Sequence, residues 1–429
     1  MEKLLKIASA VADQAEVYWI EQSKDKLSFT DGKADSADTS LSSGIALRLI
    51  NKGKMGLAHT CNLLDPEKLV KQALLATENG TEANFELPHT TDLPVIESYS
   101  PEIESMSKQD LMQTGKELLS YIQSRVKGQV NLGFNYGTAS SGLLNSKGTI
   151  LSGKYSGFYA HAELVFAGSG SGLHAFKAGV GPQKLDYEML DEMIELFRIA
   201  ENQEIAPTKR MPVIFTPMSL HALLSRLETA INPQNIYNQI SPLCGRLGEQ
   251  IISNKISIYQ DPHNAEISGA SSYDSEGTPT QKLYFFENGI YKAYPTDLNY
   301  AAKLKVKPSG NAVRGSYGQL PAADLLNMMV PAGDKTLAEM ISSIDEGIIV
   351  QSLMGAHSGN VLNGDFSVGV STGFMIKNGK LVARLKDTML SGNVYETLNK
   401  VVALEDKVLK MGGTWLPSML IDEVSVSGK

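Results

Sequence analysis

Phe374-Met375-Ile376-Lys377-Asn378-Gly379-Lys380-Leu381 is the stretch that decides how this chain folds. Apolar residues flank an Asn-Gly pair, and Asn and Gly tolerate the positive φ that a tight two-residue hairpin turn needs. The stretch therefore predicts two antiparallel strands meeting at Asn378-Gly379. Phe285-Phe286-Glu287-Asn288-Gly289-Ile290-Tyr291 uses the same device. Nearer the start, Ile45, Leu47 and Leu49 alternate with Ala46, Arg48 and Ile50, and Asn51-Lys52-Gly53-Lys54 turns the chain into a second strand over residues 55–60. Phe158, Ala160, Ala162, Leu164 and Phe166 put one apolar face on another long strand, which Gly168-Ser169-Gly170-Ser171-Gly172 interrupts.

Helices fall between these strands. The opening MEKLLKIASAVADQAEV threads charges through apolar residues and reads as an amphipathic helix, not a signal peptide. Asp65 caps a helix that begins at Pro66. Residues 108–125 and 185–200 are helical, and a short apolar strand at 212–215 leads into a helix opening at Thr216-Pro217. Residues 80–101 read as an extended connector and the polar residues 201–209 as a linker. The expectation is an α+β fold, largely antiparallel sheets with inserted helices, in two main domains. Residues 1–205 form the first, with subregions of about 1–90 and 105–205, and residues 206–429 form a β-rich second.

Composition narrows the function. With 39 basic and 47 acidic residues the net charge is −8, which gives no basic footprint for a nucleic-acid backbone. Cys61 and Cys244 are too few for a disulfide framework or a cysteine-rich zinc site. No apolar run spans a bilayer, and the expected location is the cytoplasm. Residues 168–172 are glycine-rich but run into Leu173-His174, without the Lys-Ser/Thr pair of a phosphate loop. No Gly-x-Ser-x-Gly occurs, and Gly355-Ala356-His357-Ser358-Gly359-Asn360 misses its spacing.

None of the seven histidines lies four or five residues from another as a helical chelate would require. His221 stands beside a stripe formed by Leu220, Leu223, Leu224 and Leu227. A hydrolytic metal there needs more ligands and a carboxylate to take a proton from its water. Ala222, Leu223, Leu224, Ser225 and Arg226 supply neither.

Taken in order, several short strings resemble the TldD/PmbA family, also called "modulator of DNA gyrase". They include Ser43-Gly44-Ile45-Ala46-Leu47-Arg48, Ser241-Pro242-Leu243-Cys244-Gly245-Arg246, Tyr273-Asp274-Ser275-Glu276-Gly277-Thr278-Pro279 and Pro308-Ser309-Gly310-Asn311. Gly355-Ala356-His357-Ser358-Gly359-Asn360, Gly364-Asp365-Phe366-Ser367, Ser391-Gly392-Asn393 and Pro417-Ser418 extend the resemblance over nearly the whole chain. In the family's proteolytic branch the helix carries His-Glu-x-x-x-His, and a later cysteine completes a zinc site. Carried over, His221 matches the first histidine, Ala222 replaces the glutamate and Arg226 the second histidine, and residues 410–416 contain no cysteine.

The resemblance implies a PmbA/TldE-like subunit with no catalytic residues, metal or cofactor of its own. Zinc is expected only in a TldD-like protease partner, with which the chain would degrade or process unfolded peptides; alone it would form a homodimer. Asp274, Glu276, Gly277, His357, Ser358, Asn360 and Asp365 are the candidate cavity-facing residues. Two other functions stay open: an autonomous metallopeptidase-type hydrolase with a site assembled from His221, Asp274, Glu276, His357 or Asp365, and a gyrase-modulating binding protein.

Overall fold

The computed structural model describes residues 1–428. Helix α1 (Glu2–Ser9) leads into β1 (Gln14–Thr30), β2 (Lys33–Asn51) and β3 (Lys54–Thr60), then α2 (Pro66–Glu78). After the connector come α3 (Lys108–Gln123), β4 (Gln129–Asn145), β5 (Ile150–Val165), β6 (Gly172–Gly179) and α4 (Tyr187–Ile199). The six strands make one antiparallel sheet in the order β3-β2-β1-β4-β5-β6. The period-two reading holds on β5, where Phe158, Ala160, Ala162 and Leu164 are buried; on β2 the strand forms but both faces are covered, Ala46, Arg48 and Ile50 being buried along with Leu47 and Leu49. Asp65 caps α2 as expected, its carboxylate accepting from the Lys68 N–H at 2.9 Å.

The second half contains β7 (Gln203–Ile205), β8 (Lys209–Phe215), α5 (Pro217–Ile231), α6 (Pro233–Tyr237), β9 (Ile258–Gln260), β10 (Leu283–Glu287), β11 (Ile290–Tyr291) and α7 (Leu298–Leu304). Three two-residue strands follow, β12 (Ala312–Val313), β13 (Ala322–Ala323) and β14 (Met328–Met329), then α8 (Leu337–Ser342), β15 (Glu346–Met354), β16 (Asp365–Lys377), β17 (Lys380–Lys386) and β18 (Thr388–Asn393). The last elements are α9 (Val394–Leu398), β19 (Val401–Leu404), β20 (Leu409–Met411), β21 (Thr414–Leu416) and β22 (Met419–Gly428). Both Asn-Gly hairpins form, with φ of 49° and 75° at Asn288 and Gly289 and 48° and 72° at Asn378 and Gly379.

The largest sheet follows the order β15-β8-β22-β18-β16-β17-β7, and β15 also pairs with β16. Strands β15, β8, β22, β18 and β16 therefore close on themselves as a ring. The linker reading of residues 201–209 is corrected here: residues 203–205 are β7, paired in parallel with β17. Polar residues are tolerated there because β7 is an edge strand with solvent on one side.

The two halves share a core. Leu132, Phe134, Phe158 and Leu164 of the first sheet, with Leu118 and Ile122 of α3, pack in one apolar cluster with Ile214, Ile349, Phe374 and Ile376 of the ring. The connector is pinned as well: Thr90 Oγ1 donates to the Gly277 carbonyl at 2.6 Å and Ser98 Oγ to the Ala270 carbonyl at 2.9 Å. Among the described residues no helix is long and apolar enough to cross a membrane.

Candidate functional site

Helix α5 runs from β8, and its leucine stripe fixes its orientation: Leu220, Leu223, Leu224 and Leu227 are at most 1% exposed. That burial sets which way the motif positions point. Arg226, three residues after Leu223, is carried inward and is completely buried. Its guanidinium is spent on main-chain carbonyls. Nε donates to Asp365 O at 3.0 Å, Nη1 to Ala222 O at 2.7 Å, and Nη2 to Ala356 O at 2.9 Å and Ser358 O at 3.2 Å. Burial lowers its pKa, and the only carboxylate that offsets this is Asp365.

His221 takes another side of the helix and is half-buried, with Nε2 3.9 Å from Glu228 Oε1. Burial holds its pKa below the usual range. Burial, helped by the negative charge of Asp324, pushes Glu228 up to about 7.

A hydrolytic zinc does not fit these residues. A guanidinium has N–H donors and no lone pair to give a metal, and here it occupies the oxygens it faces. Ala222 has no carboxylate to act as base. Cys61 is exposed, and the Cys244 thiol faces the Ile236 carbonyl at 3.6 Å. Among the described residues no three His, Cys, Asp or Glu side chains converge as a set that could hold a metal ion. Restoring two motif positions with Ala222→Glu and Arg226→His is therefore expected to leave zinc well below one equivalent by elemental analysis.

The candidate cavity-facing residues fall into two separate groups. Around Arg226 lie His357, Ser358, Asn360 and Asp365. Ser358 lines a cavity of about 690 Å³ with Met354, Ser367 and Met389. His357, Asn360 and Asp365 are exposed but do not line it. Asn360 Oδ1 accepts from the Asn363 N–H, and Asp365 Oδ1 accepts from Asn393 Nδ2 at 2.9 Å.

The second group joins the two halves. Glu276, expected at a cavity surface, is 2% exposed and paired with Arg48 at 2.5 Å. Arg48 also pairs with Glu16 at 2.6 Å, and Glu16 with Arg314. Glu276 accepts from the Leu298 N–H at 2.8 Å as well. Burial alone would lower the pKa of Arg48, but Glu16 and Glu276 outweigh it and raise it. Gly277 takes φ +79° in the adjoining turn.

Asp274 accepts from the N–H groups of Glu276, Thr278 and Ala312, so it organises the loop. It lines a pocket of about 290 Å³ with Tyr18, Tyr155 and Tyr273. The Arg48 cluster escaped the sequence reading. Its signal was present, since an arginine inside the apolar run 45–50 needs a buried partner.

Asp297 borders this cluster and caps α7, accepting from the Tyr300 N–H at 2.6 Å. Burial first, then the charge of Glu276, push its pKa up to about 6. The folded value lies above the unfolded value of about 4, so its contribution to stability is present below about pH 4 and lost as pH rises through about 6. Asn also caps helices but does not titrate. Asp297→Asn is expected to remove a loss on the order of 3 kcal/mol between about pH 4 and about pH 7, read from urea midpoints.

With the geometry described, comparison with known proteins places it. Residues 208–428 match the PmbA/TldA metallopeptidase C-terminal domain, and residues 15–77 match PmbA/TldA metallopeptidase domain 1. An uncharacterised protein of Methanocaldococcus jannaschii is 27% identical over 95% of each chain. A metalloprotease of Methanothermobacter thermautotrophicus is 28% identical over 86% of this chain and 83% of its own length. A metalloprotease PmbA homologue of Buchnera aphidicola is 28% identical, over 52% of this chain and only 47% of its own length. The crystal structure of TldE from Thermococcus kodakarensis superposes with a TM-score of 0.92 over all of both chains at 23% identity. A Thermotoga maritima protein described as a proposed modulator of a DNA gyrase gives 0.88 over 99% of both chains, also at 23% identity.

Proposed function

The chain belongs to the PmbA/TldD metallopeptidase family, and from that premise we propose that it is a metal-free subunit of a TldD-type protease complex. Its zinc-bearing partner would perform hydrolysis, and together they would process unfolded peptides in the cytoplasm; alone the chain would pair with a second copy. One observation carries this reading. The position where the proteolytic branch has its second histidine holds Arg226, buried and bonded to four carbonyl oxygens. The side chain is committed to the fold and cannot swing aside for a metal without orphaning those oxygens.

The subunit's work is then enclosure and presentation. Rigid sheets joined by a buried ion-pair cluster can wall a chamber, and an extended peptide can add to a sheet edge by main-chain hydrogen bonds. The purified chain is expected to show no peptidase activity on an unfolded protein such as reduced casein, and His221→Ala should change nothing. Activity should appear on mixing with a zinc-bearing relative. Cleavage by the chain alone, carrying one equivalent of zinc and lost in His221→Ala, would sink the reading.

A further inference from the structure

Arg384, on β17, is 9% exposed. The other deeply buried guanidinium groups, those of Arg48, Arg226 and Arg314, are all held by oxygen acceptors. Arg384 is not: its Nε is buried without a hydrogen-bond partner, and burial lowers its pKa with no acid to offset it. Its one close neighbour of opposite polarity is the Phe166 ring, 4.2 Å away, and that ring is itself stacked on Phe197. A cation left in this state is costly unless something negative joins it.

The surroundings supply the rest of a site. Strand register sets Arg384 beside Phe374 and Gln203, on the ring face turned toward the first sheet. Lys386, two residues on and so on the same face, is exposed and forms no ion pair among the described residues. The neighbouring acids are directed elsewhere: Glu204 pairs with Lys377, and Asp387 lines the cavity shared with Met354 and Met389. Over this face lies the glycine-rich turn between β5 and β6. Phe166 opens it, donating its N–H to the Ser171 carbonyl at 3.0 Å, and Thr372 Oγ1 ties its far end by donating to the Gly172 carbonyl at 3.0 Å. Within the turn the N–H groups of Ala167, Gly168 and Gly170 have no acceptor among the described residues, and the Ser169 and Ser171 hydroxyls lie 2.7 Å apart.

Two cations facing a turn with free N–H donors suit a compact oxyanion. A guanidinium fork grips two oxygens at once, and the second cation favours a ligand carrying more than one negative charge, as a phosphate group does at neutral pH. We propose that Arg384, Lys386 and the turn at residues 167–171 form a site for a phosphate group, free or carried as an ester, at the seam between the first sheet and the ring. A bound phosphate would tie the turn of one half to the strands of the other. The site is separate from peptide handling, and either can fail alone.

Calorimetric titration of the full chain with inorganic phosphate, in chloride buffer at fixed ionic strength, tests this. One saturable site with Kd below about 1 mM is expected. Arg384→Met should weaken it at least about ten-fold, and Lys386→Met about three-fold. Gly170→Asp puts a carboxylate where a side chain meets open space, and should also weaken binding at least about ten-fold. Lys71→Met, exposed on the distant α2, changes net charge as much as Lys386→Met and should leave binding unchanged. Thermal melts establish that each variant is folded; if Arg384→Met is not, the two exposed positions, Gly170 and Lys386, decide. No saturation by about 10 mM phosphate, or binding indifferent to these variants, overturns the proposal. Acetate binding as tightly as phosphate overturns the phosphate assignment. With the Arg384 dependence in place, O-phosphoserine binding more tightly than inorganic phosphate identifies an ester as the ligand, and the reverse order identifies the free ion.

Discussion

Arg48→Ala is expected to lower the free energy of unfolding by about 3–5 kcal/mol, read as a drop in the urea midpoint at unchanged slope. The loss exceeds that of a surface ion pair because Arg48 and its partners Glu16 and Glu276 are at most 2% exposed. Removing the cation leaves two carboxylates facing each other's charge in a medium that solvates neither. Arg314 can satisfy only part of this, since it pairs with Glu16 alone. The asymmetry gives a control. Arg48→Met combined with Glu276→Gln removes the stranded carboxylate while leaving Glu16 paired with Arg314, and should recover a large part of the loss. If Arg48→Ala cost less than about 1 kcal/mol, the cluster would not hold the halves together.

Arg226→Leu is the second large effect. It removes donors from four carbonyl oxygens, three of them outside the helix, at Ala356, Ser358 and Asp365. The acceptors are only partly buried, so each left bare costs at the low end of roughly 1–3 kcal/mol, offset in part by leucine's apolar volume, and a net loss of about 2 kcal/mol is expected. The damage should be local as well as global. Limited proteolysis of Arg226→Leu is expected to cut within residues 355–365 under conditions that leave the wild type whole. Arg226→Lys should rescue little, because an ammonium cannot reproduce the planar fork that reaches three segments at once. Proteolysis at wild-type rate in Arg226→Leu would show that the loop stands without its anchor.

Most of the fold was legible because it rests on local rules. Asn378-Gly379 and Asn288-Gly289 specify their turns, Asp65-Pro66 specifies a helix start, and the alternation through Phe158–Leu164 specifies a buried strand face. What sequence could not show was non-local. Gln203–Ile205 looks like a linker because nothing nearby reveals that β17 will lie against it. Glu276 looks like a loop carboxylate because its partner Arg48 is 228 residues away. At the degenerate helix, sequence was enough to count missing ligands. It could not reveal that Arg226 had acquired another task, since its carbonyl partners have no side-chain signature.

The ring of five strands has a consequence for synthesis. One member, β22, lies between β8 and β18, so its hydrogen bonds complete strands made more than two hundred and 34–40 residues earlier. While the ribosome is still translating residues 419–428, the six strands of the first sheet are already available to pair, but β8 lacks a neighbour on one side and exposes its edge. The nascent second half is thus open to wrong pairing until β22 emerges. The sooner β22 follows β18, the less a chaperone has to shield.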